Sequence, residues 1–271
     1  MLVFLVLMKK MARKLYTLLS NPITLVVVIT NVARKLRSFL SNRIPFRIEI
    51  LKARSGPLPI LDRFTYQKRY VNFSISPDDC VLDMGSGGYP FPHATVLLER
   101  YLETSKHRCE KLVTDGKSLV LGDIHSLPFP DKRFDFVYCS HVLEHAEDPL
   151  KVCMEIMRVG KRGYIETPTQ GKDALFVWAR DVMHKWHIVA IGRNLCFFEY
   201  SQRQLDGIGS LAWKNLIFGS RYDPLQKAFW ENQDLFNVMF NWCHSFDVFV
   251  FYLDGTVKST LDNPTLTNES K

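Results

Sequence analysis

An apolar run that ends in a carboxylate and breaks at once into glycines leaves a chain few ways to fold. Here the run is Val81-Leu82-Asp83, followed by Met84 and then Gly85-Ser86-Gly87-Gly88-Tyr89-Pro90. A short apolar run that ends in an acid and is bounded by turn residues reads as a strand. The glycines let backbone N–H groups approach a ligand closely, because no Cβ stands in the way. In open α/β sheets the ligand lies beyond the carboxyl ends of the strands, where strand order reverses. A second stretch, Gly122 to His145, supplies two more strand ends with polar groups at the same edge: Gly122-Asp123-Ile124, and Cys139-Ser140-His141 after the apolar run Phe134 to Tyr138. The expected class is α/β, with a mostly parallel sheet and helices on both faces.

Charge divides the chain. Residues 1–60 hold eleven Lys/Arg and one acid, Glu49, a balance of +10, so the remaining residues sum to −3 against a total of +7. Residues 1–55 are read as a basic, apolar helical arm, and Ser55-Gly56-Pro57-Leu58-Pro59 as the linker into a domain over 56–254. Leu15 to Ala33 is mostly apolar and flanked by Arg13-Lys14 and Arg34-Lys35, with Asn21-Pro22 set as an N-cap and first helical residue. Three readings stay open: an interfacial anchor on an anionic membrane surface, a full membrane span, or helices packed on the domain. Met8 and Met11 are alternative starts to Met1. Six cysteines without CxxC spacing argue against a zinc knuckle and for a reducing, cytoplasmic setting, peripheral at the inner face of a membrane if the arm binds one. Aromatics are not interleaved with Lys/Arg in the domain as single-strand binders require, so nucleic acid is not the expected partner. The polar stretch 255–271 is expected to be a mobile tail.

The two motif stretches together resemble the class I S-adenosylmethionine-dependent methyltransferases, in particular the methyltransferase type 11-like branch with an "LPF…FD.V…H.LEH" run; the resemblance covers about residues 78 to 170. It implies a Rossmann-like sheet and S-adenosylmethionine as cofactor. Asp83, Gly85 and Gly87 match the family's D-x-G-x-G-x-G, with Ser86 between them, but Tyr89 stands at the third glycine. Prolines at 90 and 92 then imply that the usual first helix is very short or missing. Ala94 to Leu98 becomes the second strand, and Glu99 the preferred acceptor for the two ribose hydroxyls, a task for a bidentate carboxylate; Asp115, after Leu112-Val113-Thr114, is the rival. By the same resemblance Asp123 accepts from the adenine amino group, Ile124 packs on the ring and Leu127-Pro128-Phe129 walls the pocket. Ser140 faces the methionine part. A dinucleotide oxidoreductase is disfavoured, since no glycine closes a GxGxxG and no helix opens inside the turn.

His141, Glu144 and His145 lie nearest the expected methyl and are the candidates for a catalytic base, needed only if the acceptor keeps its proton. His141-Val142-Leu143-Glu144-His145 also matches the H-x-x-E-H zinc signature. Its position at a strand end favours the methyltransferase pattern, and no metal is expected. Asp148-Pro149 marks a helix start, and 161–168 a fifth strand. His184 to Tyr200 reads as a hairpin, either a lid or an extension of the sheet. Residues 224–245 read as an aromatic-rich helix, and Asp247 to Leu253 as a last strand. The acceptor is expected to be a small molecule or a lipid-linked or saccharide group at a membrane. The alternative function is a binding protein that kept the fold and lost the reaction, suggested by Tyr89.

Overall fold

A computed structural model describes residues 63–104, 111–175, 184–207, 229 and 231–262. All of them belong to one contact unit, Ala53–Lys271; the other unit is Met1–Lys52. The basic arm therefore lies outside the described residues. Among the described residues no helix is long and apolar enough to cross a membrane.

Six strands build the main sheet: β1 (Val81–Met84), β2 (Val96–Glu99), β3 (Ser118–Leu121), β4 (Phe136–Ser140), β5 (Arg162–Pro168) and β8 (Asn237–Cys243), in the order β3-β2-β1-β4-β5-β8. The first five are parallel. β8 runs antiparallel to β5, with Arg162 opposite Cys243 and Pro168 opposite Asn237. Every residue of β1 and β4 is buried, as central parallel strands require. Strand order reverses between β1 and β4, so the switch point falls where the glycine turn leaves β1.

The expected missing helix is observed: between β1 and β2 the chain makes only turns. Phe91 drops from this connection into the core and stacks on Tyr138, with ring centroids 4.1 Å apart. On the same face Phe73 meets Phe91, Phe136 and Tyr164 edge-on, and the helix α1 (Arg63–Tyr70) adds Phe64. The opposite face packs on α2 (Pro149–Val159) through Val152, Cys153 and Ile156. Asp148 caps α2 as the sequence implied, accepting from the Lys151 N–H, with Pro149 in the first turn.

Three expectations are corrected. The hairpin, β6 (Trp186–Ile191) and β7 (Asn194–Glu199), does not extend the main sheet. It joins β9 (Asp247–Phe251) and β10 (Val257–Ser259) in a second sheet of order β10-β9-β7-β6. That sheet packs Trp186, Ile188, Leu195, Phe197, Val248 and Val250 into the core shared with α2, so a sheet as well as helices covers this face. Second, the span 224–245 is not one helix: Gln233–Phe236 is a single helical turn and Asn237–Cys243 is β8. Phe240 and Trp242 sit two apart on one buried face, and Trp242 lies over Gly163, where a Cβ would come within 2.8 Å of its indole Nε1. The open edge of β5 offers a full ladder of backbone bonds, which outweighs local helical spacing. Third, Val257–Ser259 pairs with β9 and is not part of a tail.

Candidate functional site

The glycine turn is built for close approach. Gly85 and Gly87 both have positive φ, +72° and +58°. A Cβ on Gly85 would sit 2.7 Å from Val142 Cγ2. Gly85 N–H donates to Leu98 O, and Val113 N–H donates to Gly87 O, which ties the turn to its neighbours. Tyr89, in place of the family's third glycine, closes a turn onto Ser86 O and is 56% exposed. Its ring leaves the turn open. With no helix to pack on the strand, nothing requires a glycine there.

Two carboxylates flank this turn. Asp83 is buried, and its Oδ2 accepts from Phe91 N–H at 2.7 Å, pinning the connection that replaces the first helix. Burial pushes its carboxyl up to about 7, against the pull of the Phe91 N–H and of Arg63. Glu99 ends β2; its Oε1 accepts from Gly87 N–H and from Ser86 Oγ. Asp115 lies at the other end of its strand, three residues before β3 begins, exposed and paired with Lys117.

Asp123 follows β3. Its Oδ1 accepts from His125 N–H and faces His125 Nδ1 at 2.6 Å, while Oδ2 stands 3.6 Å from Arg100. The His125 backbone and ring bonds draw the Asp123 carboxyl below its ordinary value. Ile124 is half-buried against the core. The Leu127-Pro128-Phe129 turn is held to α2: Leu127 N–H donates to Glu155, and Arg158 donates to Leu127 O and Phe129 O.

At the end of β4 the polar groups converge on a residue the sequence named only within a strand. Glu166 is fully buried. It accepts from Tyr66 and Tyr164 hydroxyls at 2.6 and 2.5 Å, from Gln67 Nε2 at 2.9 Å and from Ser140 Oγ at 3.4 Å. His141, at a left-handed φ of +58°, has Nε2 at 3.4 Å from Glu166 and Nδ1 at 3.3 Å from Glu144. Burial opposes charge on Glu166, but the donors from His141, Tyr164 and Tyr66 prevail and hold its carboxyl down to about 2. Glu144 is likewise buried and held down to about 2 by His141 and His145, against burial. Both nitrogens of His141 are thus engaged by carboxylates, and neither stands free for an acceptor's proton.

Glu144 and His145 end a tight turn (Leu143–His145), where His145 lies edge-on to His184 with ring centroids 4.8 Å apart. α1, which brings Tyr66 and Gln67, has no strong sequence signal because the residues it buries are polar or amphipathic. A cavity of about 550 Å³ runs along Lys68–Ile75 and His93 and is lined by none of the candidate site residues. Cys80, Cys139, Cys153, Cys196 and Cys243 are free thiols.

Residues 82–165 match the family model described as "Methyltransferase domain". An uncharacterized methyltransferase of Schizosaccharomyces pombe is 32% identical over 117 residues, 36% of this chain and 41% of that protein. A demethylmenaquinone methyltransferase of Thermobifida fusca is 26% identical over 126 residues, 38% of this chain and 53% of its own. The chain thus spans about half or less of these relatives. A solved methyltransferase of Aquifex aeolicus is 21% identical over 44% of this chain and 70% of that one, at a TM-score of 0.33, too slight a superposition to carry an argument.

Proposed function

Starting from residues 82–165 as a class I S-adenosylmethionine-dependent methyltransferase domain, we propose that the chain transfers a methyl group from S-adenosylmethionine to an acceptor held at the mouth of β4. One observation carries this reading. At the switch point between β1 and β4, a turn of two left-handed glycines stands between the buried Asp83 and the Glu99 carboxylate that ends β2.

The residues suit the cofactor. Gly85, Ser86 and Gly87 form a turn with no side chain in the way of a ligand. Glu99 has the bidentate carboxylate that two vicinal hydroxyls need, on the strand next to the turn. Asp123 and Ile124, with the pinned Leu127-Pro128-Phe129 turn, supply an acceptor and an apolar wall for an adenine. Ser140 closes the methionine side. Asp83 acts chiefly by fixing the turn through Phe91. When bound, S-adenosylmethionine supplies an electrophilic methyl group on a sulfonium, open to in-line displacement.

The protein's part in such a displacement is positioning. His141 is held by Glu144 and Glu166, and its left-handed backbone orients the chain leaving β4. We assign it to shaping the acceptor site; Glu144 carries its charge buried, and His145 faces His184. The open face of Tyr89 removes the reason for supposing a spoiled turn, which favours turnover over binding alone. The acceptor is assigned to small-molecule or lipid-linked chemistry, the latter from the +10 charge of residues 1–60 and the attraction of such arms to anionic surfaces.

The test is full-length protein with methyl-tritiated S-adenosylmethionine and fractionated cell extract. Label in the organic-soluble or small-molecule fraction supports the reading. Label confined to protein or nucleic acid refutes the acceptor class, and no label in any fraction refutes turnover.

A further inference from the structure

Three side chains from two distant segments meet beside the proposed acceptor site. Glu144 and His145 leave the turn after β4, and His184 arrives just before β6. Two bonds lock the segments together: Lys185 N–H donates to Glu144 O at 2.8 Å, and Trp186 Nε1–H donates to Ala146 O at 2.7 Å. As a result, one potential ligand atom from each of Glu144, His145 and His184 lies within 4.8 Å of the other two.

We propose that Glu144, His145 and His184 hold a divalent transition-metal ion. Metal–nitrogen and metal–oxygen bonds of about 2.0–2.2 Å place tetrahedral ligand atoms roughly 3.4 Å apart, so small side-chain rotations close the observed spacing. The second observation is Glu144 Oε2. The residue is 1% exposed, its Oε1 faces His141, and its Oε2 has no hydrogen-bond partner among the described residues. A buried carboxylate oxygen left unbonded is costly, and a cation between it and the imidazoles satisfies it. The third is an outer shell already in place. His184 Nδ1 lies 3.0 Å from Asp173 Oδ1, and Asp173 Oδ2 accepts from the Tyr200 hydroxyl at 2.9 Å. A carboxylate behind a ligating histidine fixes the ring and its tautomer, leaving Nε2 for the ion.

Two imidazoles and one carboxylate select zinc, cobalt, manganese or iron over magnesium and calcium, which need oxygen ligands. Three protein ligands leave a position for a water or an acceptor oxygen. The binding site stands without the methyl-transfer reading. Only its use, as a Lewis acid that fixes and activates an acceptor oxygen, rests on that reading. The ligand set differs from the linear H-x-x-E-H signature, because His141 is turned to Glu166 and Glu144 and His184 takes its place.

The test is cobalt(II) titration of tag-free, chelator-treated full-length protein, read by visible absorption, with zinc competition and circular dichroism melts on every variant. One equivalent should give d–d bands that zinc removes. His184→Gln and Glu144→Gln should weaken binding at least 100-fold, Asp173→Asn by roughly 10–100-fold, and His141→Gln, whose ring touches only the far oxygen of Glu144, should weaken it less than His184→Gln does. Absence of bands from folded wild type overturns the proposal. So does binding that survives His184→Gln, or binding that is lost in His141→Gln and kept in His184→Gln. S-adenosylmethionine affinity, measured on the same samples, separates a failure here from a failure of the methyl-transfer reading.

Discussion

Replacing Asp83 with asparagine should make the protein more stable at pH 8 and not at pH 4. The carboxyl is buried, and burial raises it from 3.8 to about 7. A folded group harder to ionise than its unfolded counterpart gives stability that is complete below pH 3.8 and lost as pH rises through about 7. The gap is roughly three units, and at 1.36 kcal/mol each the loss amounts to about 4 kcal/mol by pH 8. Asparagine keeps an oxygen for Phe91 N–H and carries no charge. Allowing for the charge Arg63 loses as a neighbour, the Asp83→Asn protein should exceed wild type by about 2–4 kcal/mol at pH 8 and match it or fall below it at pH 4. Urea unfolding at half-unit steps from pH 4 to 8 measures the difference. Taking variant minus wild type cancels Glu144 and Glu166, whose contributions run the other way, present above pH 4.5 and lost as pH falls through about 2. The same variant should keep S-adenosylmethionine affinity within a few-fold, since asparagine retains the oxygen that fixes the turn through Phe91 N–H. A difference that stays constant with pH, or grows toward acid, refutes the reasoning.

Other changes probe the rest of the site. Glu99→Ala should cost roughly 10–100-fold in cofactor affinity, the worth of charged hydrogen bonds, while Asp115→Ala should leave calorimetric affinity unchanged; the reverse order would move the ribose site to the other acid. Gly85→Ala should cost about 3 kcal/mol, from positive φ and from the 2.7 Å approach to Val142. Adding Val142→Ala should recover the steric part and not the backbone part in thermal melts. Arg158→Ala frees two carbonyls of the Leu127–Phe129 turn; it should lower stability by about 2–3 kcal/mol and weaken adenosine binding, read by titration.

Which parts of this fold could be read in the residues follows from where the information lies. Parallel strands declare themselves as short apolar runs, so β1, β3, β4 and β5 were legible, as was the Asp148-Pro149 helix start. The prolines at 90 and 92 announced the absent first helix, and that absence brought Glu99 close to the turn. β8 was misread because Phe236 and Phe240 stand four apart, a helical spacing, while Phe240 and Trp242 stand two apart, a strand spacing. Local pattern allows both, and the open edge of β5 decides. Glu166 and α1 escaped for a different reason. Hydrophobic periodicity finds apolar faces, and α1 buries Tyr66 and Gln67 through hydrogen bonds to a carboxylate about 100 residues away. The Glu144–His145–His184 group was invisible in the same way, since its third member is brought in by the second sheet.

The central claim is tested most directly by calorimetric titration of the full-length chain with S-adenosylmethionine and S-adenosylhomocysteine, with NAD as control. The account predicts micromolar binding of both at one site per chain, no heat from NAD, and a sharp loss in Glu99→Ala. No binding of either by folded protein, or binding of NAD in their place, would contradict it.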